Sequence, residues 1–137
     1  MTRIWTILLA LALGACGSAQ TKSEADLLDA TLKGYADAMR WGNVEEAIGF
    51  IDPKLLDEHP ISSLEVERFH QLQVAGYREQ PAVMLDDTHA SQIVQIELIN
   101  RHTQAVRGII DRQTWRLDRE AKRWWLVSGL PLVADDY

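Results

Sequence analysis

The sequence holds a single cysteine, Cys16. A small secreted fold stapled by disulfides carries several, in even number, so that scaffold class is excluded. A membrane-spanning helix needs about 20 consecutive apolar residues, and the apolar run at the N-terminus, Ile4–Leu13, has ten. Basic residues are also few. Fourteen Lys and Arg stand against 20 Asp and Glu, for a net charge of −6. A surface that acidic argues against nucleic acid and anionic headgroups as main partners, because both are themselves anionic. The sequence contains no glycine-rich phosphate loop, serine elbow, internal repeat or low-complexity tract.

What is present is the composition of a globular domain, 47% hydrophobic and 25% charged, which opposes wholesale disorder. The charge is uneven. Cys16–Pro60 has four basic and nine acidic residues, Ile61–Asn100 two and six, and Arg101–Tyr137 seven and five. The arginines of the last third fit the solvent face of a sheet that must stay soluble.

The N-terminus has an ordered set of features. Arg3 gives a short positive segment, Ile4–Leu13 follows, and then come Leu13-Gly14-Ala15-Cys16 and the polar stretch Gly17–Lys22. A charge, an apolar run of this length and small residues before a cut site make a secretory signal. With the cysteine in place, Leu13-Gly14-Ala15-Cys16 resembles the bacterial lipobox. The resemblance implies cleavage after Ala15 and a thioether lipid on Cys16. It also implies acylation, commonly by palmitate, of the new terminus, so that several acyl chains hold the protein to a bilayer. Gly17, in place of an inner-membrane-retaining Asp, implies sorting to the outer membrane with the domain facing the periplasm. Cleavage would leave 122 residues, enough for one hydrophobic core.

This reading divides the chain into a signal peptide (1–15), a lipidated tether (16–22), a folded domain (23–131) and a C-terminal tail (132–137). Ser23-Glu24-Ala25-Asp26 has the form of a capping box. Leu28, Leu32, Tyr35 and Met39 then recur every three or four residues, one apolar stripe of a helix. That helix is predicted to stop near Trp41-Gly42, with Gly42 in the left-handed cap conformation. Asn43 opens a short second helix, Asp52-Pro53 a third, and Ser62 a fourth reaching about Phe69. Beyond His70 the period drops to two. Strands are predicted over Leu72–Arg78, Ser91–Asn100, Ala105–Asp118 and Arg123–Ser128, with turns at Asp86–His89 and Arg119–Lys122. Helices first and an antiparallel meander after predict an α+β fold, with N-terminal helices packed on a curved antiparallel sheet.

Tyr35, Ala38, Gly42-Asn43, Glu46-Ala47 and Phe50-Ile51 resemble the helical start of nuclear-transport-factor-2-like domains. Trp115–Asp118 with Trp124–Val127 resembles their closing hairpin. The resemblance implies a cystatin-like roll, a cone of sheet around a helix, over about Ser23 to Leu130. It also implies a place for chemistry, since ketosteroid isomerases and polyketide cyclases of that superfamily use Asp, His or Tyr inside the cone.

The candidates for such a role are Asp111, Tyr35 and Tyr77. Tyr35 lies on the helix stripe and Tyr77 on the first strand. Asp111 shares strand parity with Ile109 and Trp115, which makes it the one carboxylate with an argument for facing inward. Arg107, Arg112 and Arg116 crowd that strand, so the carboxylate is expected to be ionised, arginine-paired and a poor base. His59 and His89 sit beside acidic pairs but without the spacing of metal ligands, so no metal or other cofactor is assigned. Trp124 and Trp125 are adjacent strand residues and must face opposite sides. One packs under the helices, and the other is free to line a pocket rim or interface, so both are candidate binding residues.

The resulting reading is a lipid-anchored envelope domain that binds a protein partner or a small apolar ligand without catalysis. Two alternatives stay open, a small isomerase, hydrolase or cyclase working in the cone, and a purely structural envelope lipoprotein.

Overall fold

The computed structural model describes residues 16–133, with side chains from Ser23 onward. The leader read at 1–15, the side chain of Cys16 and residues 134–137 of the tail lie outside the described residues. Four helices precede five strands: α1 (Cys16–Trp41), α2 (Val44–Ile48), α3 (Pro53–Glu58), α4 (Ser63–His70), β1 (Leu72–Glu79), β2 (Val83–Met84), β3 (His89–Asn100), β4 (Val106–Asp118) and β5 (Arg123–Leu126).

Each short helix begins at the cap its sequence supplies. The Asn43 side chain accepts from the Glu46 amide, and the Asp52 side chain from the Lys54 amide, with Pro53 in the first turn. Ser62 and Glu65 form a reciprocal capping box. Two expectations fail at α1. Its backbone is already helical at Cys16, so the stretch 16–22 read as a tether continues the helix and Ser23 does not start it. Ala19, Gln20 and Lys22 are good helix formers, and they outweigh the local cap signal. Gly42 ends α1 but without the left-handed conformation, since Gly129 is the one described glycine with positive φ. Its lack of a side chain serves close packing instead. A Cβ at Gly42 would lie 2.3 Å from Glu46 Oε2 and 2.9 Å from the Ala38 carbonyl oxygen.

The sheet is antiparallel and curled, in the order β1-β3-β4-β5, with the short β2 pairing the start of β3 on the β1 side. The long β3–β4 pair runs from His89↔Arg116 to Ile99↔Val106. Asn100 Oδ1 closes its turn by accepting from the His102 and Thr103 amides. The outer edge of β5 is covered by the link between α2 and α3. Leu126 N donates to the Phe50 carbonyl, and Asp52 N to the Leu126 carbonyl. β2 had no signal in the sequence, because two residues are too few to show a period.

The helices pack on the concave face. The α1 stripe buries Leu28, Leu32, Tyr35 and Ala38 against Trp115, Leu117, Trp124 and Leu126. A second cluster, Val94, Ile96 and Leu98, packs against Leu72, Val74, Ile109, Tyr77 and Val133. Strand parity on β4 follows the sequence reading. Asp111, Gln113, Trp115 and Leu117 point in, while Arg112 is exposed and Thr114, Arg116 and Asp118 face outward. The neighbouring tryptophans separate as alternation requires. Trp124 is buried and its indole N–H donates to the Glu24 carbonyl, whereas Trp125 lies on the outer face under the Arg123 guanidinium, 4.0 Å from the ring centre.

Candidate functional site

Of the three polar side chains predicted from sequence, Asp111 and Tyr77 are joined through one amide inside the roll, and a bulge in β1 is what brings Tyr77 there. Leu72 and Val74 point inward, opposite Asn100 and Leu98. Ala75 is then skipped in the register, so Gly76 pairs with Glu97 and Tyr77 with Ile96. One extra residue reverses the parity of everything after it. Unbroken alternation from Val74 would send Tyr77 outward; the bulge turns it in.

There Tyr77 joins Asp111 through a residue that sequence reasoning passed over. The Gln113 side-chain amide donates to Asp111 Oδ2 at 2.8 Å and to the Tyr77 hydroxyl at 3.0 Å, while its carbonyl accepts from the Trp115 indole at 3.3 Å. An indole N–H can only donate, so Trp115 fixes which way the amide points. The signal was present in the alternation, since Gln113 shares inward parity with Asp111 and Trp115. Tyr35 approaches from α1, fully buried, with edge-on contacts to Trp115 and Phe50 at 5.4 and 5.6 Å. Its hydroxyl has no hydrogen-bond partner.

The electrostatics of this cluster differ from the sequence expectation in what surrounds the carboxyl. Burial pushes the Asp111 carboxyl above the usual carboxylate range, against the Gln113 hydrogen bond that lowers it. Among the described residues the hydrogen-bond partner of Asp111 is the neutral Gln113 amide, and Arg112 and Arg116 lie across the sheet, where solvent screens them. Burial likewise raises both tyrosines, with the Asp111 charge adding to each shift. The arginine pairing predicted for this strand occurs with another carboxylate. Arg116 donates to Asp52 Oδ2 at 2.8 and 3.2 Å, which ties β4 to the start of α3. Burial opposes ionisation of Asp52, but Arg116 and the Lys54 amide outweigh it and hold its carboxyl below the usual range.

Comparison with family models, curated proteins and solved structures finds no match for this chain.

Two cavities lie away from this cluster. A cavity of about 410 Å³ lies between α3, α4 and the C-terminal segment Ser128–Val133. Its wall is mainly aliphatic and aromatic, with Leu55, Leu56, Ile61, Phe69 and Leu130, and its polar groups include His59, Glu65 and Arg68. A smaller cavity of about 250 Å³ sits between the end of α1 and β1, beside Met39, His70 and Arg101. Neither is lined by Asp111, Tyr35 or Tyr77. Trp124 and Trp125 line neither cavity. Among the described residues no three His, Cys, Asp or Glu side chains converge as metal ligands. His89 instead closes a turn with Asp86 at 3.0 Å, and His70 meets Glu45 at 2.8 Å.

Proposed function

We propose that this protein is a bacterial envelope lipoprotein, held to the outer membrane by acyl groups on Cys16. Its periplasmic domain takes up a small apolar ligand between α3, α4 and the C-terminal segment. The observation that carries the binding reading is the 410 Å³ cavity with its apolar wall and few polar groups. Binding sites for small molecules have that size and that balance, many apolar contacts for affinity and a few polar ones for orientation. Polar groups such as His59 and Ser128 are few beside the apolar lining, so the preferred ligand is an apolar body with one polar end. The lipobox sequence Leu13–Cys16 supports the anchor. Helices ahead of a curled sheet are the arrangement that a nuclear-transport-factor-2-like domain would have.

A second reading rests on one observation, the buried, unpartnered Tyr35 hydroxyl within electrostatic reach of Asp111 and Tyr77. A carboxyl of raised proton affinity near two phenols is the equipment of proton transfer. Asp111 is only 6% exposed and borders neither cavity, so a substrate would have to displace core side chains to reach it. The buried cluster fits better as a polar tie within the core.

Two experiments test the proposal. In detergent phase partitioning, wild type should enter the detergent phase and Cys16→Ser the aqueous phase; aqueous wild type contradicts the anchor. For the cavity, the probe is 1-N-phenylnaphthylamine, whose fluorescence rises in apolar surroundings. Leu56→Trp should weaken its binding by about tenfold, the value of about 1.4 kcal/mol of lost contact, while Leu64→Trp, on an exposed position, leaves it unchanged. Equal binding by both variants contradicts the site.

A further inference from the structure

Exposed apolar side chains are concentrated at one turn. Val83, Met84 and Leu85 are consecutive and 58%, 52% and 59% exposed. They form a fixed knuckle. Val83 and Met84 pair with Ser91 and Ala90, Leu85 N donates to the His89 carbonyl at 2.8 Å, and Asp86 Oδ1 accepts from the Thr88 amide at 2.8 Å. On its inner side Ala82 packs against the main core. Val83 and Met84 are strand neighbours and face opposite sides of this edge, so the firmly held knuckle exposes apolar surface on both sides of its tip, where an apolar partner can cover it.

Their position says which partner. The Arg119 guanidinium donates to Glu24 Oε1 at 2.9 Å and to the Asp87 carbonyl at 3.4 Å, joining the first buried turn of α1 to the knuckle's own turn. Glu24 is eight residues beyond Cys16 on one helix, a rise of about 12 Å at about 1.5 Å per residue. The knuckle is therefore at the end of the domain from which the anchor emerges. Trp41, 74% exposed, is at the opposite end of α1.

Resting on the anchor reading above, we propose that Val83, Met84 and Leu85 dip into the bilayer that holds Cys16 and form a second membrane contact. Acyl chains already hold such a protein firmly, so the knuckle's contribution is orientation. One anchor leaves the domain free to swing, and a second contact fixes its tilt. Asp86 and Asp87 flank the knuckle and are repelled by anionic headgroups, so the surface it fits is a zwitterionic one, entered shallowly.

The test uses the full lipidated chain in vesicles of phosphatidylethanolamine and phosphatidylcholine. Leu85→Cys and, separately, Trp41→Cys carry the fluorophore NBD, and intact mass reports the lipid on Cys16. The label at 85 should shift to the blue and be quenched several-fold by lipids spin-labelled near the headgroup, with Val83→Cys behaving alike. The label at 41 should emit as in water. A chain without lipid on Cys16 overturns the anchor and this contact together. A lipidated chain whose label at 85 matches the label at 41 overturns the contact alone. A blue shift without quenching by spin-labelled lipid also overturns it, because the partner is then protein.

Discussion

The inside of the roll and the cavity between α3, α4 and the C-terminal segment divide chemistry from space. The inside holds Asp111 and Tyr77, joined through Gln113, and the buried Tyr35, which packs against Trp115 and Phe50. The cavity holds about 410 Å³ and a largely apolar wall, with its polar groups at a few positions. Catalysis needs reactive groups and substrate in one place. Here a group of raised proton affinity is walled in, while the room for a ligand lies where apolar contact dominates. A carboxyl of perturbed proton affinity is a reason to look for a catalytic site, and the same shift arises when a polar tie is buried for structure.

The comparison breaks most visibly if the interior is emptied. Trp115→Ala should cost about 3–5 kcal/mol of stability, since the indole is fully buried and orients Gln113. Asp29→Ala, on the exposed side of α1, should be near neutral. Urea unfolding checks both, and equal midpoints would show that the α1 phase or the β4 parity is misplaced.

The link between the two regions comes next. Asp52→Ala removes the α3 cap, worth about 1 kcal/mol, and the partly exposed pair with Arg116, worth up to about 1 kcal/mol. A loss of about 1–2 kcal/mol should appear in thermal melts at pH 7. The Asp52 carboxyl lies below its ordinary range in the fold. Its contribution is thus present above that range and fades as pH falls through the folded value. The deficit of the variant should shrink in acid, and one that grows in acid contradicts the pairing.

A smaller effect sharpens the account of the interior. The Asp111 carboxyl is raised in the fold, so its stabilising share is complete below the ordinary carboxylate range and is lost as pH rises through the folded value. Asp111→Asn keeps an acceptor for Gln113 and removes the buried charge. It should raise the melting temperature at pH 7 by less than Asp52→Ala lowers it, and the gain should vanish near pH 3. A lower melting temperature at pH 7 would mean that the ionised form is wanted, as a working base would require.

The elements were legible where a pattern has length. The α1 stripe, the caps at Asn43, Asp52 and Ser62, and the alternation on β3 and β4 each repeat a local rule over several residues. That repetition placed Leu32, Trp115 and Asp111 on the inner side. What was not legible depends on single events. The bulge at Ala75 that turns Tyr77 inward leaves no period, and the two residues of β2 are too short for one. Arg116 was placed correctly on the outer face, but its choice of Asp52 is a contact across 64 positions. Gln113 was readable by parity and was passed over because neutral amides are seldom weighed as hubs. The cavity has no signature at all, since Leu55, Leu56, Ile61 and Leu130 look in sequence like ordinary core residues.

The central claim is that ligand goes to the cavity and leaves the interior closed. Its most direct test is intermolecular nuclear Overhauser contacts between 1-N-phenylnaphthylamine and the isotope-labelled protein. The account predicts contacts to the methyl groups of Leu55, Leu56 and Leu130, with none to the rings of Tyr35 and Tyr77. Contacts to those tyrosine rings, with the Leu56 methyls silent, would contradict it and move the site into the roll.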